Sequence, residues 1–234
     1  MPTIRLDNVA KIYTTKDYQH VAIRSIDLII EQGEFVFFVG SRGAGKSTLL
    51  NVIAGEAVPD RGQVYLDDVD FNKLPKRQNR RARACRGRIA QDAELKRTET
   101  VRENLSVWKW VGPFRKRTLD ENLAAKALGI VGVPDCLDRY PRDLSMSECR
   151  RVQIAGAILN SPAILMLDDF TDRMDEDTVW DMLHLLNEMN KRGTTVLMAT
   201  NSSYVVNVMR RRVVTLADGR IVGDVRKGKY GYIS

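Results

Sequence analysis

The sequence predicts an α/β fold with a mainly parallel core sheet, an N-terminal antiparallel β-subdomain and an inserted helical subdomain. Three observations carry that prediction. Strand-length apolar runs alternate with helical patterns along much of the chain. One of them, Phe35-Val36-Phe37-Phe38-Val39, leads through a glycine-bearing loop straight into a helical stretch. A matching run, Ile164-Leu165-Met166-Leu167, appears more than a hundred residues later and ends in two aspartates. Strands alternating with helices imply a parallel sheet whose ligand site lies at the C-terminal ends of the strands.

The elements follow in order. Ile4 to Tyr13 and Val21 to Ile30 read as two extended runs joined by a polar stretch, with alternation in Ile26-Asp27-Leu28-Ile29-Ile30 and a turn at Gly33. Next come the strand at Phe35 to Val39, the loop Gly40 to Gly45, and a helix from Lys46 to Ala54 that stops at Gly55. A short strand is expected to end near Gln91. From about 92 to 160 the pattern is mainly helical, broken by Gly112-Pro113, Pro134 and Pro141. This is the helical subdomain, set within a single domain spanning 1–234. After the strand at Ile164 come a helix from about Glu176 to Lys191, a third apolar run from Thr194 to Thr200, and a hairpin around Asp218-Gly219.

Composition narrows the class. In 234 residues, 44% hydrophobic and 29% charged, there is enough apolar material for a real core, which excludes disorder and collagen-like structure. The longest apolar runs fall far short of the roughly 18 to 20 residues of a membrane-spanning helix. The first residues lack the basic-then-apolar layout of a secretory signal. Three widely spaced cysteines, no CxxC pair and only two histidines fit a reducing compartment and argue against a zinc site. The net charge of +7, from 37 Lys+Arg against 30 Asp+Glu, leaves nucleic acid, an anionic membrane surface or phosphorylated small molecules as partners.

Gly40-Ser41-Arg42-Gly43-Ala44-Gly45-Lys46-Ser47, followed by Thr48, spells G-x-x-x-x-G-K-[ST] between a buried strand and a helix, the context this phosphate-binding motif requires. The glycines let backbone N–H groups turn inward, where a β-phosphate meets the positive end of the following helix. Lys46 is expected to neutralise β/γ oxygens, and Ser47 to place its hydroxyl on Mg2+. The metal also needs an acidic partner at the end of a buried strand, and Asp168 supplies it. Asp169, next to it, is placed to orient or deprotonate a water. A nucleotide and Mg2+ are therefore the expected ligands.

The order of Tyr13, the loop at 40–48, Gln91-Asp92, Leu144-Ser145-Met146-Ser147-Glu148, Leu167-Asp168-Asp169 and Thr200-Asn201 resembles the ATP-binding cassette ATPases, a phosphate-loop NTPase family, over essentially the whole chain. Within that family, Gly33-Glu34-Phe35-Val36-Phe37, the run Ala90-Gln91-Asp92 followed by Thr100-Val101-Arg102-Glu103-Asn104, and Gly219-Arg220-Ile221-Val222 look most like the cell-division ATPases of the FtsE kind. The resemblance implies an ATP-dependent homodimer with two ATP molecules between its copies. Each site is then built from the loop of one copy and the signature around Ser145 of the other. It also implies an integral membrane partner of the FtsX kind that relays the ATP cycle to peptidoglycan hydrolases, and a peripheral position on the cytoplasmic face of the cell membrane. By the same resemblance Tyr13 stacks on adenine, Gln91 reaches Mg2+ and senses the partner, and Asp175 stands in the loop that communicates across the dimer.

Three departures from the family pattern touch the γ-phosphate. The two signature glycines are Met146 and Ser147, although Ser145 keeps its hydroxyl. Asp169 replaces the usual catalytic glutamate and is one methylene shorter, a retraction of about 1 Å that can cost about a hundredfold in rate. Asn201 replaces the switch histidine; its amide donates a hydrogen bond but carries no proton or charge. Together they point to a site that binds ATP and closes but hydrolyses slowly. Neutral substitution in a working ATPase stays open, since a carboxylate and a hydrogen-bonding side chain remain. So do an ATP-binding scaffold with little turnover and the motor of a small-molecule or lipoprotein exporter.

The stretch 76–88 carries seven basic residues in thirteen. It is read as the solvated face of a short helix or as a surface near anionic headgroups. A nucleic-acid patch lacks interleaved aromatics, so no nucleic-acid partner is expected. Trp108 and Trp110 cannot both point the same way on a helix, and either packing in the helical subdomain or a groove for the membrane partner would use them. Arg226 to Tyr232 reads as a flexible basic tail.

Overall fold

A computed structural model describes residues 3–14, 18–74, 86–108, 119–172 and 174–231. The basic residues from 76 to 83, Trp110, Gly112-Pro113 and Tyr232 lie outside the described residues.

Two sheets form the frame. Strands β1 (Ile4–Thr14) and β2 (Gln19–Ile30) pair antiparallel, with β4 (Arg61–Leu66) on the other edge of β1 and the short β5 (Val69–Asp70) beyond it. This is the expected antiparallel subdomain. The second sheet has the order β10-β9-β3-β8-β7-β6, formed by β3 (Phe35–Val39), β6 (Arg86–Ile89), β7 (Ile164–Asp168), β8 (Thr195–Ala199), β9 (Arg212–Ala217) and β10 (Arg220–Val225). All its pairings are parallel except β9 with β10. Asp218 and Gly219 both take positive φ, 47° and 75°, the geometry that lets a two-residue turn follow the strand twist.

The central strands β3, β7 and β8 are buried along their whole length and mostly apolar, because both sheet faces are covered. Phe35, Phe37, Val39, Leu165 and Leu167 face one core. That core is closed by α2 (Val101–Trp108), α3 (Glu121–Ile130), α4 (Met146–Ile158) and α5 (Glu176–Lys191). Val36, Phe38, Ile164 and Met166 face a second core, shared with α1 (Lys46–Ala54) and the inward side of the antiparallel sheet. Helix α1 is thus held between the two sheets, and its N-terminus lies at the C-terminal end of β3. Helix α6 (Ser203–Met209) follows β8 and is capped by Ser202.

Two expectations are corrected. Arg86 and Arg88 belong to β6 and lie inside the fold. Arg86 is buried, with its guanidinium 3.9 Å over the Phe71 ring and Nη1 donating to the Ile53 carbonyl at 2.5 Å. Parallel pairing with β7 draws this part of the basic run into the sheet, so it forms neither a solvated helix face nor a membrane-facing surface. The segment from Arg226 to Gly231 is held as well: Gly228 N donates to the Arg211 carbonyl at 3.1 Å, Tyr230 N to Asn207 Oδ1 at 2.9 Å, and the Tyr230 ring packs on the first core.

Candidate nucleotide site

The loop between β3 and α1 depends on glycine. Gly43 and Gly45 have φ of 81° and 103°, and a Cβ on Gly45 would come 2.5 Å from the Ala22 carbonyl oxygen. The loop is therefore pressed against β2 where no side chain fits. Gly45 is also the N-cap of α1 and offers no side-chain acceptor to the first helical N–H groups. Those donors, at the positive end of the helix, suit an anion. Lys46 is 5% exposed, and its ammonium donates to the Gly40 and Ser41 carbonyls at 2.8 and 3.0 Å. Burial pulls its pKa down, while Asp169 and Asp168 work in the opposite direction.

Across the cleft the sheet brings in its acidic residues. Strand β7 lies two positions from β3, and its last residue, Asp168, accepts a hydrogen bond from Ser47 Oγ at Oδ1, 3.0 Å away. Burial raises the Asp168 carboxyl above the ordinary aspartate range, partly offset by Ser47. Asp169 turns into the left-handed region, φ 43°, and its N–H donates to the Ala199 carbonyl at 3.0 Å. Asn201 Nδ2 donates to Asp169 Oδ2 at 3.4 Å. Burial raises this carboxyl too, and Lys46 opposes the rise.

A cleft of about 490 Å3 joins these groups; it is lined by Tyr13, Arg42, Gly43, Gly45, Lys46, Ser47, Thr48, Gln91, Asp169 and Asn201, and also by His20 and Asp172. Gly40, Ser41 and Ala44 build the loop wall without lining the cleft. A second cleft of about 830 Å3 shares Ser47, Gln91, Asp169 and Asp172 and extends past Asp168 towards α4. Gln91, exposed in the turn after β6, borders both. Tyr13 stands on the rim at 39% exposure, directly opposite His20 in the β1–β2 register.

Ser145 and Asp175 lie away from the loop cleft. Ser145 caps α4, its Oγ accepting from Glu148 N at 3.1 Å while Glu148 Oε2 accepts from Ser145 N at 2.7 Å. The hydroxyl proton of Ser145 is left for another acceptor. Met146 is 58% exposed, so its side chain stands outside the protein's own packing. Asp175 caps α5 through Thr178 N and Thr178 Oγ1, both at 2.8 Å.

Sequence reasoning missed His20, Asp172 and Arg88. His20 needed the hairpin register to be placed beside Tyr13. Arg88 had one signal: it sits in the short strand that leads to Gln91.

The Ser47 hydroxyl and the Asp168 carboxylate are hard oxygen donors at one point beside the loop. They fit Mg2+, which takes few protein ligands when phosphate and water oxygens complete its shell. Among the described residues no group of three or more His, Cys, Asp or Glu could hold a metal by itself.

A strand–loop–helix unit with a buried lysine, facing a carboxylate from the end of a neighbouring parallel strand, defines a phosphate-loop NTPase domain that binds nucleotide. The ABC transporter family pattern matches residues 23–172, and the chain belongs to that family of ATP-binding cassettes. It is 34% identical over 232 residues to the cell division ATP-binding protein FtsE of Streptococcus pneumoniae serotype 2, covering 99% of each chain. It is 36% identical over 222 residues to the methionine import ATP-binding protein MetN 2 of Rhodococcus jostii, covering 94% of this chain and 65% of that one. Among solved structures, the dimeric ATP-binding cassette MJ0796, in a post-hydrolysis state bound to ADP and Pi, matches with TM-score 0.82 and 29% identity over 97% of this chain and 100% of that one. No helix among the described residues is long and apolar enough to cross a membrane.

Proposed function

We propose that this chain is the ATP-binding subunit of a membrane-associated complex of the FtsE–FtsX kind. Two copies close over ATP and pass the cycle to a separate membrane partner that governs peptidoglycan hydrolases, with the chain held at the cytoplasmic face. The match to FtsE over 99% of both chains carries this reading, and the geometry of the loop cleft supports it.

In this reading the loop from Gly40 to Gly45 and Lys46 hold the phosphates, with Arg42 and Thr48 at the cleft wall and Tyr13 against the adenine. Ser47, Asp168 and Gln91 hold Mg2+, which when bound neutralises charge on the β- and γ-oxygens. Ser145 donates its hydroxyl to the γ-phosphate in the facing copy, and Asp175 lies in the loop that meets it. Asp169 orients the attacking water, and Asn201 holds the Asp169 carboxylate. At 3.4 Å that hold is loose, and an aspartate reaches less far than a glutamate would from the same backbone position. Hydrolysis is therefore slow. The same observation favours a second reading, an ATP-operated scaffold with little turnover. A transport motor is the third, and the likeness to MetN 2 speaks for it.

Purification of the tagged full chain with its membrane proteins separates the division reading from the transport reading. A four-span membrane protein with a large extracellular loop is the expected companion. A multi-span solute permease in its place would overturn the division reading.

A further inference from the structure

A fixed positive charge lies largely shielded from solvent beside the carboxylate of the nucleotide site. Arg88 lies in β6, in register with Met166 of β7, and its Nη2 stands 3.8 Å from Asp168 Oδ2. Ser47 Oγ holds the other oxygen of the same carboxylate at 3.0 Å. The arginine side chain is 12% exposed and the aspartate 3%, so solvent screens their attraction little. Nη1 pairs with Glu56, just past the end of α1, and fixes the guanidinium from the other side. Arg88 Nε is buried with no hydrogen-bond partner among the described residues. An open donor of this kind is rare in a buried group. The guanidinium borders the same cleft as Ser47, Gln91, Asp168 and Asp169. Arginine keeps its charge in such surroundings and presents a fork suited to carboxylate and phosphate oxygens.

We propose that Arg88 is a built-in counter-cation of the nucleotide site: it shares Asp168 with the divalent metal and supplies part of the positive charge the metal otherwise brings. This chain therefore binds ATP nearly as well without Mg2+ as with it. The proposal rests on the nucleotide reading of the cleft. Ser47 and Arg88 each face one oxygen of Asp168, so a divalent ion that shares the carboxylate with Ser47 stands close to a guanidinium. Beside that like charge the metal adds less to binding than it would beside a carboxylate with no cation of its own.

The test titrates a fluorescent ATP analogue into the purified full chain, in excess Mg2+ and in EDTA. For the unaltered chain the two Kd values should differ by less than about tenfold, or 1.4 kcal/mol. In Arg88→Met the EDTA value should weaken by more than about tenfold relative to the unaltered chain while Mg2+ restores binding. Arg88→Lys should retain metal-independent binding because it retains the charge. Dependence on Mg2+ above about a hundredfold in the unaltered chain would overturn the proposal without any variant, so a poorly folded Arg88→Met does not weaken the test. Equal Mg2+ dependence in the unaltered chain and a folded Arg88→Met would overturn it as well. No binding in either buffer would instead overturn the nucleotide reading beneath it.

Discussion

Asp169→Glu should speed ATP hydrolysis and cost some stability. The added methylene carries the carboxylate about 1 Å further into the cleft, the advance of one C–C bond along a zigzag chain. A catalytic group misplaced by about 1 Å can lose about a hundredfold, which corresponds to about 2.7 kcal/mol of barrier. Recovery should be smaller than that, because the present contact from Asn201 at 3.4 Å holds the carboxylate loosely and will not follow it. A gain of about tenfold in the single-turnover rate is expected. The cost comes from the backbone. Residue 169 has φ 43°, a region that aspartate visits more readily than glutamate, and about 1 kcal/mol of added strain is the expected scale. For a chain of this size that lowers Tm by about 2–4 °C. Radiolabelled ATP at saturation, with Mg2+, in a single-turnover format measures the rate, and a thermal melt measures the cost. If the unaltered chain already hydrolyses at the pace of ordinary cassettes, and neither Asp169→Glu nor its combination with Asn201→His is faster, the impaired-site reasoning is wrong.

Lys46→Ala removes a buried ammonium that donates to two loop carbonyls and, in the proposed reading, to phosphate. Charged hydrogen bonds of about 1.5–3 kcal/mol imply roughly a ten- to hundredfold loss of ATP affinity; unchanged affinity would exclude the loop as the phosphate seat. Ser145→Ala opens the capping box of α4 and should lower stability by about 1 kcal/mol, visible in a thermal melt. The Ser145 backbone N–H holds the Glu148 carboxyl below its ordinary value of 4.5. The stabilisation by ionised Glu148 is therefore full above that value and fades as pH falls through the lowered one. Melting curves of the unaltered chain and Glu148→Gln should differ most near neutral pH and converge in acid.

Much of the site could be read in the sequence because its parts are local. Helices α1 and α5 and strand β3 fall on the residues the pattern gave, since period and punctuation agree there: Gly45 and Gly55 bracket α1, and Asp175 caps α5. The misses share a cause. Strand β4 shows one buried residue, Val64, and exists by pairing with β1. The turn after it uses Asp67 and Asp68 at φ 48° and 60° without a glycine to mark it. Helix α6 is seven residues long, too short to establish a period. The tail at Arg226 looks free by composition and is held by contacts distant in sequence, to Arg211, Asn207 and the first core.

The phosphate loop, the acidic strand end and the three departures at Met146, Asp169 and Asn201 are legible in the residues alone, because each is a local residue choice at a fixed spacing. Which distant groups meet is set by the folding of the sheets. Parallel pairing of β6 with β7 places Arg88 on Asp168, the β1–β2 register sets His20 opposite Tyr13, and β8 delivers Asn201 to Asp169. Arginine in a basic run reads as surface because charge is costly to bury. In this chain the strand carries it inward to Glu56 and Asp168, whose opposite charges offset that cost.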